Sequence, residues 1–147
     1  MRDKQDSPVA AVERAMVRVR RRQTRRALAA GATVDPALTA VADAVEGEQA
    51  AERPCSVTSL AGLLSVDQPR ASKLVAKAAA AGLVRRVSDQ HDGRRSLLEL
   101  TEAGWAHIAD VRRMRQERFA AAMRSWSAKE RADFAGLLTR FVDALDG

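Results

Sequence analysis

Residues 56–101 read SVTSLAGLLSVDQPRASKLVAKAAAAGLVRRVSDQHDGRRSLLELT, and this stretch decides the fold. Ser56 can cap a short helix through Leu64, with Leu60, Leu63 and Leu64 facing inward. Ser65-Val66 makes the turn. Asp67 is an N-cap with Pro69 in the first turn of a helix over 68–81, and Gly82 follows where helices take a left-handed stop. Leu83–Val87 and Ser96–Leu100 are short β-suited runs around the loop Asp89-Gln90-His91-Asp92-Gly93-Arg94-Arg95, so they read as a hairpin. Thr101 then caps another helix. Helix, tight turn, helix and hairpin in that order are the signature of a winged helix-turn-helix, which sets one helix and one hairpin on duplex DNA.

The helix over 68–81 has two different faces. Ala71, Leu74, Val75 and Ala78 form one that can pack on the preceding helix. Pro69, Lys73 and Ala76 point away, with Arg70, Ser72 and Lys77 on the flanks. This outer face is small and basic, as entry into the ~12 Å major groove requires. Arg70 and Lys73 can reach guanine edges or phosphates, Gln68 can pair with adenine, and Ser72 can bind phosphate. Taken alone, the same pattern is an ordinary amphipathic surface helix with lysines. The hairpin changes the balance, because paired arginines at a flexible tip suit a minor-groove probe. Asp92, two residues before Arg94, can pair with that guanidinium and aim it, and Arg95 follows.

Outward from this module, Val9, Val12, Met16 and Val19 recur at three- and four-residue spacing, which predicts a helix from Pro8 to a stop at Gly31. Its other face carries Arg14, Arg18, Arg22, Arg25 and Arg26. Asp35 as N-cap and Pro36 at N1 open a second helix to about Gly47, and Glu48 to Pro54 read as a polar connector. Thr101 starts a long helix to roughly Arg124. Ser127 and Glu130 form a capping box for a last helix bearing Phe134, Leu137, Leu138, Phe141 and Leu145. Residues 1–147 thus read as one domain, mainly α with a small β-hairpin wing. The winged helix-turn-helix (56–101) is flanked by helices at 8–31 and 102–147, whose apolar stripes find little within one protomer to cover them and therefore suit dimerisation.

Composition sets the bounds. Lysine plus arginine number 25 against 19 acids, a formal charge of +6, which favours a polyanionic partner. Arginine and alanine bias from GC-rich coding DNA would give much the same excess. The charge is uneven: residues 1–30 and 56–100 are basic, while 31–55 is acidic. One cysteine, Cys55, excludes an intramolecular disulfide and suits a reducing compartment. No apolar run approaches a membrane span, and the residues after Met1 are polar, so a cytoplasmic protein is expected. His91, His107 and Cys55 form no ligand-spaced pair, which argues against a metal site. The absence of tyrosine, of a nucleophile–histidine arrangement and of a phosphate-cradling loop argues against an enzyme and its cofactors.

Leu60-Ala61-x-Leu63-Leu64-x-Val66-x-Gln68-Pro69, with Ser72-Lys73-Leu74-Val75, resembles the helix-turn-helix of the MarR family of bacterial transcription regulators. Leu83-Val84-x-Arg86, Asp92-x-Arg94 and Leu100-Thr101-Glu102-x-Gly104 resemble that family's wing and following helix start. The resemblance is densest over residues 57–104. It implies a homodimer with interlocked terminal helices, reading a palindromic operator in double-stranded DNA through two recognition helices. It also implies a wing-tip role for Arg94 with Asp92 as its orienting partner, and a repressor released by a small-molecule effector. Gly93 stands where the family commonly has a second arginine, the first helix lacks the cysteine of peroxide sensors, and Asp35 to Arg53 match weakly, so the effector residues stay unassigned. Two other readings remain open: a winged-helix module that binds protein, and sequence-independent DNA binding through the arginine-rich first helix.

Overall fold

A computed structural model describes residues 7–29 and 34–147. Along the chain run α1 (Pro8–Ala29), α2 (Pro36–Ala50), α3 (Val57–Leu64), α4 (Gln68–Ala80), β1 (Val84–Ser88), β2 (Ser96–Leu100), α5 (Glu102–Ala122) and α6 (Ala128–Asp146). The mainly helical architecture with one antiparallel hairpin is the one the sequence implies. The expected stop at Gly31 lies outside the described residues.

Helix starts are set by side-chain caps that occupy otherwise unpaired N–H groups. Asp35 accepts from Ala37 N–H at 2.9 Å, Asp67 from Arg70 N–H at 2.8 Å and Thr101 from Gly104 N–H at 2.9 Å. Ser127 and Glu130 close the capping box. Ser56 closes another with Ser59. At the other end of α3, Ser65 takes φ 53°, while Gly82 takes φ 78° after α4. Both sit in the left-handed region that turns the chain sharply after a helix.

The core is organised around α2. Val41, Ala42 and Val45 have no solvent exposure and pack with Leu60, Val75, Ala78, Leu98, Leu100 and Ile108. α3, α4, β2 and α5 therefore all lean on one helix. The hairpin pairs Val84 with Leu100 and Ser88 with Ser96, one residue later on the first strand than the sequence suggests. α5 leaves the hairpin through Thr101, whose N–H donates to Leu83 C=O at 3.1 Å. Its hydroxyl donates to Gly82 C=O.

Two local expectations are corrected. Glu48 to Ala50 belong to α2 and not to a connector, because tertiary contacts hold that turn: Glu48 pairs with Arg53 at 2.9 Å, and Gln49 accepts from Leu100 N–H at 2.7 Å. Leu63 is half exposed, while Ala61 is buried. At ~100° per residue, Val57, Leu60, Ala61 and Leu64 span one arc of α3, and Leu63 lies off its edge.

α1 and α6 stand apart from this core. No described side chain of α1 is buried, and none of α6 is. Their apolar residues flank an open groove of about 440 Å³ lined by Val9, Val12, Met16, Val17, Phe141 and Leu145.

Gly104 tests the junction between hairpin and α5. A Cβ there would run into the carbonyl of Leu83, which is itself fixed by Thr101. Gly104→Ala should cost about 1–3 kcal/mol of unfolding free energy through overpacking. Gly47→Ala, where a Cβ meets open space in α2, should be neutral or add ~0.4–1 kcal/mol. Paired denaturant melts would show the two substitutions moving in opposite directions.

Candidate nucleic-acid interface

α4 presents the expected outward surface. Asp67 and Pro69 fix its first turn, and Ala71, Val75 and Ala78 anchor it inward. Pro69, Arg70, Ser72, Lys73, Ala76 and Lys77 are exposed. At 13 residues the helix is a rod of about 20 Å, long enough to lie along a groove. Gln68 is less free than the sequence suggests, because its Nε2 donates to Thr58 Oγ1 of α3 at 3.2 Å. The base-reading role proposed for it would require that bond to open.

Arg70, Lys73 and Lys77 line an open cleft of about 410 Å³ against Asp35 and Ala37 at the start of α2. The carboxylates of Asp35 and Asp67 in this cleft are engaged as helix caps. Among the described residues no ion pair forms at Arg70, Lys73 or Lys77, although Arg85 pairs with Glu99, Arg112 with Glu46, and Arg115 with Asp43. The cations of α4 therefore keep their charge available to a ligand.

The hairpin tip differs from the expectation in one respect. Asp92 does not pair with the Arg94 guanidinium; its Oδ1 accepts from the Arg94 backbone N–H at 3.1 Å. A short carboxylate bonds most readily to the amide two residues on, so it shapes the loop and not the side chain. Asp89 does the same for His91 N–H at 2.9 Å. Asp89 N–H to Arg95 C=O and Arg95 N–H to Asp92 C=O, both 2.9 Å, close the loop. The two arginines then diverge. Arg94 is exposed and forms no ion pair among the described residues, while Arg95 Nη2 donates to Ser56 Oγ at 3.3 Å and so reaches back to the start of α3.

Residues outside the recognition helix support this surface, and the sequence did not single them out. Gln49, from the stretch that reads as a polar connector, and Cys55, just after it, both bond to β2. Cys55 is buried at 2 % exposure, and burial pushes its thiol above the ordinary value, as befits a packed side chain and not a reactive thiolate. His107 shares a hydrogen bond with Thr39 at 2.8 Å, and Asp110 pairs with Arg113. Among the described residues no group of three His, Cys, Asp or Glu side chains is placed to hold a metal ion. No helix among them is long and apolar enough to cross a membrane.

The arrangement defines a winged helix-turn-helix. Residues 41–95 match the model described as MarR family. The HTH-type transcriptional regulator YxaD of Bacillus subtilis is 33% identical over 91 residues, which is 62% of this chain and 64% of YxaD. The aligned region thus spans a little under two thirds of that relative. A MarR family protein from Bacillus stearothermophilus superposes with TM-score 0.75 at 21% identity, covering 100% of this chain and 99% of that one. A probable transcriptional regulator from Pseudomonas aeruginosa gives 0.59 at 26% identity over 93% of this chain and 98% of its own. Over residues 41–95 the chain is similar to the MarR family, and its fold is the winged helix-turn-helix of the MarR family protein above.

Acid should loosen this scaffold from two identifiable points. The Arg53 hydrogen bond holds the Glu48 carboxyl below its ordinary 4.5, and the Ser127 backbone amide does the same for Glu130. A carboxyl depressed on folding stabilises the native state above its unfolded value, and that contribution disappears as pH falls through the folded value. Stability should therefore drop as pH goes from about 5 to below 4, and Glu48→Gln with Glu130→Gln should flatten the profile. Urea melts across that range provide the measurement.

Proposed function

We propose that the chain is a sequence-specific, DNA-binding transcriptional regulator that acts in the cytoplasm as a homodimer. It represses from a palindromic operator and is relieved by a small-molecule effector. Its work is binding, not catalysis. The observation that carries this reading is the charge state of two surfaces. Arg70, Lys73 and Lys77 on α4, a helix whose outer face is otherwise small, and Arg94 at the hairpin tip are exposed and form no ion pair among the described residues. Arg70 and Lys73 read base edges or phosphates, Ser72 and Lys77 hold phosphate, Pro69 lets the backbone approach, and Gln68 contacts a base once released from Thr58. Arg94 enters the minor groove from a loop shaped by Asp92, with Arg95 bracing the wing.

The dimer is supported by α1 and α6. Val9 is 79% exposed and Leu145 69% exposed in one protomer, and apolar surface left open on this scale calls for a covering partner. A second copy suits it, since a two-fold dimer also spaces two recognition helices by one helical turn of DNA. The effector is suggested by the similarity to the MarR family over residues 41–95, and the cleft between α2 and α4 has room for a small molecule.

Selection of bound genomic fragments should enrich a palindrome. Arg94→Ala should weaken binding to it, and Arg70→Ala should cost ~1–3 kcal/mol and relax sequence preference where it touches a base. Enrichment no better than random DNA would remove the sequence-specific reading. Sedimentation should give a particle of twice the 15.9 kDa chain, with Leu137→Glu shifting it toward monomer and lowering operator affinity. A library screen in which no compound changes melting temperature or DNA affinity would remove effector relief.

A second reading is favoured by one feature of α1. Arg18, Arg20, Arg21, Arg22 and Arg25 are exposed and form no ion pair among the described residues, so sequence-independent binding could run through this helix. Salt titration separates the readings. Non-specific binding gives a steep salt slope with almost no gap between operator and random duplex, whereas an operator-reading regulator keeps the gap.

A further inference from the structure

The outer edge of β2 is where the wing is attached. In an antiparallel pair, alternate residues of a strand point their N–H groups toward the partner strand and the others point away. The bonds from Thr101 N–H to Leu83 C=O and from Asp89 N–H to Arg95 C=O fix that alternation. In the register that pairs Val84 with Leu100 and Arg86 with Leu98, the amides of Leu98 and Leu100 face away from β1. Both residues are buried, at 3% and 4% exposure, so water is a poor substitute for a partner.

The segment after α2 supplies what a third strand would. Leu98 N–H donates to Cys55 C=O at 2.7 Å, and Leu100 N–H donates to Gln49 Oε1 at 2.7 Å. One acceptor is backbone and the other is a side chain. Between them the chain is pinned in a tight loop: Arg53 N–H bonds to Glu48 C=O at 2.9 Å, the Glu48–Arg53 ion pair crosses it, and Glu52 takes φ 55°. At the wing end, Arg95 Nη2 reaches Ser56 Oγ. Residues 49 and 55 thus grip the outer edge of β2 at 100 and 98, and Ser56 takes the Arg95 side chain just before the strand.

We propose that Gln49 is a positioning residue for the wing: its amide oxygen completes the β2 edge and fixes the angle at which the hairpin carries Arg94. It touches no ligand itself and acts through the strand. This rests on the reading of Arg94 as the wing-tip contact to DNA. The brace itself is a property of the free protein and can be read without DNA.

Three full-length variants test it. Gln49→Leu removes the acceptor at nearly constant volume, Gln49→Glu keeps an acceptor in place, and Arg94→Ala removes the contact the brace serves. Amide hydrogen exchange followed by NMR should show Leu100 protected in the wild type and exchanging at least about tenfold faster in Gln49→Leu, since a buried amide loses its partner. Gln49→Glu should restore protection. Affinity for the enriched palindrome should fall about 3–10-fold in Gln49→Leu and recover in Gln49→Glu, while the Gln49→Leu/Arg94→Ala pair should bind no more weakly than Arg94→Ala alone. Unchanged Leu100 exchange in Gln49→Leu overturns the brace. An affinity loss of full size in the Arg94→Ala background shows a general loss of structure and overturns the positioning role. If the wild type itself prefers no palindrome to random DNA, the regulator reading fails, and the exchange arm still decides whether Gln49 holds the wing.

Discussion

Val41, Ala42 and Val45 lie fully buried on one face of α2, and α3, α4, β2 and α5 pack around that helix. Complete burial of a valine or leucine side chain is worth about 1.5–3 kcal/mol, so this face contributes far more than any surface ion pair in the molecule. Small residues at Ala42, Ala71 and Ala78 are equally necessary, because they let helices approach closely enough for the larger side chains to interdigitate. Shifting α2 would displace the recognition helix, the wing and the long α5 together. The outward surface of α4 is therefore as rigid as the core beneath it.

The acidic stretch around α2 has a purpose that net charge conceals. Asp43 and Glu46 pair with Arg115 and Arg112 of α5 at 2.8 and 3.0 Å, and Glu48 pairs with Arg53. Each pair sets an arginine that is largely in solvent against a more covered carboxylate, so its value lies in register and in charge allocation. Carboxylates are spent beside α5 and the end of α2. Those near α4, Asp35 and Asp67, are held as helix caps. Among the described residues the cations of α4 and Arg94 are left without counter-ions, in a chain whose net excess is only +6.

Much of the fold was legible in the sequence because it was written in local chemistry. Asp35, Ser56, Asp67, Thr101 and Ser127 each cap the helix they announce, and Gly82 adopts the left-handed stop. The outward face of α4 followed from its period. What escaped was decided at a distance in the chain. The end of α2 looks polar and carries Gly47, so its continuation depends on Arg53 and on β2, which no local rule includes. Leu63 was placed inward by type, although the arc set by Leu60 and Leu64 excludes it. The Asp92–Arg94 relation was right in spacing and wrong in atom, because a nearby amide reaches a short carboxylate before a long guanidinium does. Gln49 gave no signal at all: a glutamine in a polar stretch cannot reveal that a strand amide 51 residues later will need it.

The remaining apolar surface is divided in a telling way. Residues from α2 through the start of α5 supply the whole buried core among the described residues, while α1 and α6 supply none of it. Two helices of 22 and 19 residues leave stripes of valine, leucine and phenylalanine exposed, whereas most helical stability in proteins comes from packing an amphipathic face. Within one protomer their described residues flank an open groove, and Trp126, just before α6, packs edge-on against Phe134 of that helix, centroids 5.3 Å apart. On the two-fold reading the missing contacts come from the same helices of a second chain. α5, tied to α2 by Arg112, Arg115 and His107, would then transmit the dimer's geometry to the helix on which α4 and the wing are mounted. The spacing of two recognition surfaces and the stability of the terminal helices would have a single physical origin.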